Sequence, residues 1–210
     1  WTQATASLDF GIVRSAVAAG GRGRGIRLSG GARLSRRQIE GIESEAKAAG
    51  APGLLWAKCS DEGTTGPIGK FLQPEHAAAM GLEAGDLALV AAGPDRVTSP
   101  ALAATRTAAV AALGLEPERE HAWLWVTDFP VFDEADGVFT ASHHPFVMPH
   151  VDDVDLLETD PAIVRGTAYD LVYNGTEFGS GSIRIHHPEL QRRIFRVLGL
   201  GDADIEEKFG

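Results

Sequence analysis

The chain has a single cysteine, Cys59, among its 210 residues, and no hydrophobic run that approaches membrane-spanning length. One cysteine excludes an internal disulfide framework and a cysteine-based zinc site. A membrane helix needs about 18 or more consecutive apolar residues, and no signal peptide pattern opens the sequence. These absences predict a cytoplasmic protein with no membrane partner. The first residue is Trp1 rather than methionine, so we expect a processed product or part of a longer protein.

Aromatic residues are also scarce, at 7% of the chain, but 44% of the residues are hydrophobic, which is enough for a sizeable core. Charge is unevenly distributed. Residues 1–118 carry 12 basic and 12 acidic side chains, whereas residues 119–210 carry 7 basic and 17 acidic ones. Such an asymmetry indicates two units, and the mixed acidic segment 116–120 is typical of a linker. We therefore predict domains at residues 1–118 and 119–210.

The first unit contains a cluster of arginines with no acidic residue among them, at residues 22–37. The cluster comprises Arg22, Arg24, Arg27, Arg33, Arg36 and Arg37. A solvated face of a strand and a helix explains it most simply. Contact with phosphates is the alternative, because guanidinium groups recognise phosphate well.

Local patterns in the first unit predict a layer of helices on strands. Ser35 is a good helix N-cap, and the helix that follows is expected to end at Gly50. A strand is expected at residues 68–72, after the Gly-Thr-Thr-Gly-Pro turn. Ser99 followed by Pro100 predicts the start of another helix. In the second unit a long strand is expected at residues 122–132.

The most informative segment lies at residues 169–187, where Asn174-Gly175 predicts a two-residue β-hairpin turn. With that turn Val172 faces Glu177, and Asp170 faces Gly179. Asp170 and Glu177 then project diagonally from one face, a separation of about 7–8 Å at the backbone. Mg²⁺ typically takes one or two carboxylates together with substrate phosphates. The alternative is a pair of solvent-facing acids, but the small residues at 179–182 are typical of close approach by a ligand or another backbone.

Two further residue types near this segment leave alternatives open. Strict alternation places Arg184 on the face opposite Glu177, whereas a bulge in the glycine-rich run would return it. His143 and His144 are either core residues or ligands. Their adjacent side chains diverge on an extended strand, so they do not form a bidentate metal pair.

Residues 169–175, together with Glu177, Gly179, residues 181–185 and residues 188–191, resemble the catalytic domain of bacterial aspartyl-tRNA synthetases, a class II family. Residues 124–126, 128–130 and 143–146 extend the resemblance upstream. In the first unit, residues 30–32, 34–39 and 66–72 resemble the GAD insertion domain of the same enzymes. The blocks occur in family order over essentially the whole chain. One departure is Ser180, which stands where the family usually has the middle of three glycines.

The resemblance implies a role for each candidate residue. Glu177 would bind ATP, largely through Mg²⁺, and Asp170 would help to hold that metal. Arg184 would pair with the side-chain carboxylate of L-aspartate, and His143 would line the aspartate pocket. The partners implied are L-aspartate, ATP and tRNA(Asp), and the full enzyme would be a homodimer.

The implied fold class is α+β: a GAD-type two-layer α/β insertion domain followed by part of a class II synthetase antiparallel β-sheet catalytic domain. Motifs 1, 2 and 3 of the family are missing, including the Phe-Arg-Asp-Glu and Gly-Leu-Asp-Arg sequences whose arginines clamp ATP. The N-terminal anticodon-binding barrel is missing too. We therefore expect this chain to be part of an aspartate–tRNA ligase and to be inactive alone. The alternative is an RNA- or protein-binding module based on the GAD domain, which the arginine cluster motivates.

Overall fold

A computed structural model describes residues 1–209, with all of their side chains except those of Asp202, Lys208 and Phe209. The chain divides into two compact units, Trp1–Glu116 and Pro117–Gly210. Helices and antiparallel strands occur in both units, which confirms the predicted α+β class. Within residues 1–209, no helix combines the length and the apolar character that crossing a membrane requires.

The first unit is a four-stranded antiparallel sheet with helices. Its strands follow the order β1-β4-β2-β3 across the sheet. The strands are β1 (Arg22–Leu28), β2 (Leu55–Ser60), β3 (Gly63–Thr65) and β4 (Leu87–Gly93). The helices are α1 (Thr2–Ala6), α2 (Gly11–Ala18), α3 (Arg36–Ala48), α4 (Pro74–Ala79) and α5 (Asp95–Leu113).

Helix α3 begins and ends where its sequence predicts. The Ser35 hydroxyl accepts a hydrogen bond from the Gln38 backbone N–H at 3.3 Å, and the Gln38 side chain accepts one from the Ser35 backbone N–H at 2.9 Å. This reciprocal pair is a capping box, which satisfies two otherwise unpaired donors. Gly50 follows the helix with φ of +99°, a conformation that favours glycine.

Strand β4 lies at the centre of the sheet and contributes to a core on each face. Leu87 and Leu89 pack on one side with residues of α3 and α5. Val90 packs on the other side with Leu8, Ile68 and other residues from short elements. The predicted layer of helices on strands is therefore present, and short N-terminal and connecting segments cover the second face.

Two local predictions in the first unit are wrong. Residues 68–72 are not a strand but contain the short 3-10 helix Gly69–Phe71. The Thr64 hydroxyl donates to the Gly69 carbonyl at 2.7 Å, and this contact holds the turn in place. Helix α5 begins at Asp95, about one turn before the predicted start, with Pro100 inside it. An acidic residue in a first helical turn is favourable because it meets the positive end of the helix dipole.

The second unit contains a three-stranded antiparallel sheet, in the order β5-β8-β9, and a separate two-stranded β6-β7 hairpin. Its strands are β5 (Trp123–Val126), β6 (Phe132–Ala135), β7 (Val138–Ala141), β8 (Ala168–Tyr173) and β9 (Thr176–Ser182), and its helices are α6 (Pro188–Val197) and α7 (Asp202–Phe209). The single strand predicted at residues 122–132 is wrong, because the chain turns at Asp128, where φ is +58°.

The core of the second unit is small and is reinforced by ion pairs. Val131, Phe132, Leu157, Val164 and Ile194 form one buried cluster in it, and Val147, Ala168, Phe195 and Ile205 are buried as well. Arg165 donates through Nε and Nη2 to the Asp153 carboxylate at 2.7 and 2.9 Å. Arg193 makes the same kind of double contact with Glu158, at 2.6 and 2.7 Å. The second pair ties α6 to the loop ahead of β8.

Candidate active site

The β8–β9 hairpin carries two of the four candidate residues and turns where the sequence predicts. Asn174 and Gly175 have φ of +47° and +84°, the signs that a type I′ turn requires. The Asn174 side chain also accepts from the Ala122 N–H at 2.9 Å and donates to the Glu120 carbonyl at 3.0 Å. The turn is thereby held against the segment that leads into β5, and the predicted hairpin is confirmed.

The hairpin register differs from the prediction at one point. Val172 pairs with Glu177 as predicted, but Asp170 pairs with Ser180 rather than with Gly179. The predicted pairing is wrong because Phe178 is an extra residue on β9, which makes a β-bulge opposite the Leu171–Val172 step. Nothing in the composition of this segment marks Phe178 in advance.

The carboxylates nevertheless share one face of the sheet. Asp170 and Val172 lie on the same face because alternate strand residues do, and Glu177 is the cross-strand partner of Val172. Asp170 is half-buried and Glu177 is exposed. Among residues 1–209, neither carboxylate has a salt bridge or a side-chain hydrogen bond. Two unpaired carboxylates on one face leave room for a cation with other oxygen ligands.

The described residues do not by themselves enclose a metal ion. They contain no group of three or more histidine, cysteine, aspartate or glutamate side chains placed to hold one. Mg²⁺ commonly keeps several waters and takes substrate phosphates alongside one or two carboxylates. A site on this face therefore needs a ligand such as a nucleotide to complete it.

The bulge also decides the position of Arg184. Beyond β9 the chain stays paired, because the Met148 N–H donates to the Ile183 carbonyl and the Ile185 N–H donates to the Phe146 carbonyl, both at 2.9 Å. Arg184 itself bridges to Val147. With Phe178 as the extra residue, alternation through this extended segment returns Arg184 to the face of Glu177. The bulge lies just ahead of the glycine-rich run.

The two adjacent histidines diverge, and the structure places them differently. His143 is exposed, with its ring centroid 4.7 Å from that of Phe129. His144 faces Arg184, whose Nη1 lies 2.9 Å from its Nδ1 and also contacts its Nε2. Partial burial, then the positive Arg184 and then His143 lower the pKa of His144 below its ordinary value of 6.5. Sequence reasoning assigned a role to His143 alone and missed His144.

The opposite face of the same sheet is aromatic. Trp125 is 61% exposed and its ring centroid lies 5.7 Å from that of Tyr169. Tyr169 pairs across the strands with Gly181, where an added Cβ would lie 2.5 Å from the tyrosine hydroxyl oxygen. This close approach explains the glycine at 181. At Gly179 the space is open.

The arginine cluster of the first unit is largely paired within that unit. Five of its six members contact acidic groups, hydroxyls or carbonyls. Arg22 Nε lies 2.8 Å from Asp95, Arg24 Nη1 2.6 Å from Ser99 Oγ, Arg27 Nε 2.7 Å from Asp86, Arg33 Nη2 3.1 Å from the Leu113 carbonyl and Arg36 Nε 2.9 Å from Glu40. The first of these pairs raises the pKa of Arg22 and lowers that of Asp95. The pairing favours a structural role for the cluster.

Comparison with known proteins identifies the family to which the chain is similar. The family model described as tRNA synthetases class II (D, K and N) matches residues 32–210. The chain is 43% identical over 209 residues to an aspartate--tRNA(Asp/Asn) ligase of Desulfatibacillum aliphaticivorans, which covers 96% of this chain and 35% of the relative. It is 44% identical over 209 residues to an aspartate--tRNA ligase of Shouchella clausii, with 96% and 36% covered.

A third relative, an aspartate--tRNA ligase of Geobacillus kaustophilus, is 42% identical over 208 residues. The alignment covers 96% of this chain and 35% of that protein. The chain thus spans about a third of the length of the curated relatives it matches. Because the family model matches far more than half of the chain, this protein belongs to the class II tRNA synthetases of the D, K and N group.

Proposed function

We propose that this chain is part of an aspartate–tRNA ligase, which activates L-aspartate with ATP and transfers the aspartyl group to tRNA(Asp). The observation that carries the proposal is the hairpin. One bulged β-hairpin brings Asp170, Glu177 and Arg184 to one face of an exposed sheet. A positive charge can bind an acidic amino acid, and negative charges can bind the metal ion of a nucleotide, so the two substrates together need both kinds of charge on one surface. The names of the relatives are consistent with this assignment.

Arg184 is the proposed partner of the aspartate side chain. Its planar guanidinium offers two parallel N–H donors to a carboxylate, which an ammonium group does not. Such a pair distinguishes aspartate from asparagine, because the amide carries one oxygen and no charge. His143, exposed on the neighbouring loop, is proposed to line the same pocket.

Glu177 and Asp170 are the proposed contacts to ATP and its Mg²⁺. Both supply oxygen donors, both lie on the Arg184 face, and neither is engaged by another residue within the described chain. This donor set fits Mg²⁺. When bound, the ion would offset negative charge on the phosphates. The carboxylates would keep the nucleotide on the same face as the amino acid.

The activation step depends mainly on the positions of the two reactants. The α-carboxylate of aspartate attacks the α-phosphorus of ATP, aspartyl-adenylate forms and pyrophosphate leaves. No proton has to move in that step, so the contribution of this chain is to bind and orient both reactants. Because the chain holds no counterpart of the family's phosphate-clamping arginines, we propose that it is inactive by itself.

Residues 1–118 are the proposed GAD insertion domain and residues 119–210 the proposed part of the catalytic domain. The boundary between the two compact units, at Glu116, falls within the acidic linker of the sequence. Limited proteolysis of this chain is expected to cut between residues 116 and 120 and to leave a stable N-terminal piece. Cleavage that spreads evenly through both units would contradict this division.

The proposed activity is tested by ATP–pyrophosphate exchange on the full-length protein that contains this chain. Exchange should require Mg²⁺ and L-aspartate, and asparagine or glutamate should not replace aspartate. Aspartate-independent exchange, or exchange driven by another amino acid, would contradict the proposal. The oligomeric state of the same preparation, by light scattering, tests the proposed homodimer.

A further inference from the structure

We infer that His144 is a positioning residue, whose neutral imidazole keeps the Arg184 guanidinium directed toward the aspartate carboxylate. The inference rests on the proposed aspartate-binding role of Arg184. It adds a residue that acts through Arg184 rather than through the substrate. The contact that carries it is the approach of Arg184 Nη1 to the His144 ring, in which Nε2 is the nearer nitrogen and Nδ1 lies 2.9 Å away.

The contact requires a particular protonation state of the histidine. A guanidinium only donates hydrogen bonds, so the ring nitrogen that it meets must accept. The Phe146 backbone N–H also points at His144 Nδ1, at 3.2 Å. A neutral ring has one acceptor nitrogen, which one of these two donors can occupy or both can share, whereas an imidazolium can accept from neither. Burial and the charge of Arg184 lower the pKa of His144, in agreement with a neutral ring at pH 7.

The main chain holds the two residues next to each other. Arg184 bridges to Val147, and the flanking hydrogen bonds join residues 146 and 148 to residues 185 and 183. The Gln191 side chain donates to the Pro145 carbonyl at 2.8 Å, which anchors the histidine loop to α6. Hydrogen bonds therefore fix the loop that carries His144 next to the backbone of Arg184.

An exposed arginine without such a partner samples many rotamers, and ordering it on substrate binding costs free energy. Arg184 is exposed, and Asp170 and Glu177 lie on its face of the sheet. Those carboxylates are alternative partners for a free guanidinium. The contact with His144 holds the guanidinium next to the loop that carries His144 and away from Asp170 and Glu177. The guanidinium therefore stays available for a substrate carboxylate.

The functional test uses aspartate-dependent pyrophosphate exchange by the full-length protein. His144→Leu keeps the approximate size of the side chain but removes the acceptor. It should raise the KM for aspartate about tenfold, as expected for the loss of one hydrogen bond to a charged group, and leave the KM for ATP unchanged. His144→Gln, which restores a neutral acceptor, should recover most of the loss.

The matched control is His187→Gln. His187 is exposed at the start of α6 and makes no side-chain capping bond, and this variant should match the wild type. Equal KM values for aspartate in the His144→Leu variant and the wild type would overturn the inference. An equal rise in the KM for ATP would do so too, because it would indicate general disruption.

A second readout does not depend on activity. In the 210-residue chain with ¹⁵N-labelled histidine, the NMR titration of His144 should give a pKa below 6.5, and Arg184→Gln should raise it. Arg184 and His143 are the two groups whose charges lower this pKa. An unchanged titration in Arg184→Gln would show that the residues are not in contact. If the wild type shows no exchange with aspartate, the proposed function fails, while the titration still decides the contact.

Discussion

The two sheets of this molecule differ in how their faces are covered. In the first unit the central strand β4 is closed on both sides, and Leu87, Leu89 and Val90 have no exposed surface. In the second unit every residue of β5 is exposed, from 36% at Val126 to 61% at Trp125. The first sheet is a structural core. The second is a surface on which polar side chains are accessible to ligands.

The same contrast holds for charged residues. Most arginines of the first unit's cluster meet partners within that unit, as Arg27 does with Asp86, a residue only 3% exposed. Asp170 and Glu177 have no such partner among residues 1–209. Paired charges stabilise a fold or leave it unchanged, whereas unpaired charges on one face attract a ligand of opposite charge. The comparison therefore supports the proposal that the ligand-binding site lies in the second unit.

The largest expected effect on stability is at Leu89, in the centre of the covered sheet. Leu89→Ala should lower the free energy of unfolding by about 2–5 kcal/mol, because it leaves a cavity in a closed core. Trp125→Ala, on the exposed sheet of the second unit, is the comparison variant and should cost far less. Urea denaturation of this chain, with the unfolding of each unit followed separately, measures the loss of unfolding free energy in both variants. A larger loss for Trp125→Ala than for Leu89→Ala would contradict the comparison.

A smaller, pH-dependent effect is expected at Asp153. Hydrogen bonds from the Arg165 side chain and backbone lower the pKa of Asp153 from 3.8 to about 2. Because the folded-state pKa is the lower one, the ionised carboxylate stabilises the fold above about pH 4, and this contribution disappears as the pH falls toward 2. Asp153→Asn should therefore be less stable than the wild type at pH 7, and the two should converge near pH 2.

The control for this prediction is Asp155→Asn, which changes a neighbouring acid of the same 3-10 segment, Val151–Leu156. It removes a carboxylate from the segment but leaves the Asp153–Arg165 contact in place, so this variant should retain the loss of stability below pH 4 that protonation of Asp153 causes. A constant difference between Asp153→Asn and the wild type from pH 7 to pH 2 would show that ionisation of Asp153 does not contribute.

The smallest effect is expected where the arginine cluster is most exposed. Among residues 1–209, the only side-chain contact of Arg36 is with Glu40 of its own helix, and Arg37 is exposed beside it. Replacing both by glutamine should change the affinity of the full-length protein for tRNA less than about twofold at physiological salt, if the cluster is structural. A much larger loss, with a shallower dependence of affinity on salt, would instead support RNA binding by the first unit.

Local signals predicted those parts of the fold that depend on a few adjacent residues. Ser35 and Gln38 determine the start of α3, because their side chains bond to each other's backbone N–H groups. Asn174-Gly175 determines the β8–β9 turn, because these two residues adopt the positive φ that the turn requires. The predictions at residues 68–72 and at Pro100 are wrong because contacts from outside each predicted segment decide the structure there. The Thr64 hydroxyl holds the turn at Gly69, and Arg22 pairs with Asp95 at the start of α5.

The residues of the candidate site could be proposed from the sequence, but the strand register that places them could not be predicted in full. The turn determines that Val172 faces Glu177, yet the bulge at Phe178 changes every pairing beyond it and returns Arg184 to the carboxylate face. The bulge lies in the pairing of β8 with β9, and no residue type at 178 indicates it. Likewise, adjacent histidines diverge, and only the bridge between Val147 and Arg184 decides that His144 faces the arginine.

The central claim, that the bulged hairpin holds the amino acid through Arg184 and the nucleotide through Glu177, is tested most directly by Arg184→Lys in the full-length protein. Lysine keeps the charge but loses the planar fork. Aspartate-dependent pyrophosphate exchange should lose about one to two orders of magnitude in kcat/KM for aspartate, equivalent to about 1.5–3 kcal/mol. ATP affinity measured without aspartate should stay at the wild-type value. Unchanged aspartate kinetics, or a defect confined to ATP binding, would contradict the claim.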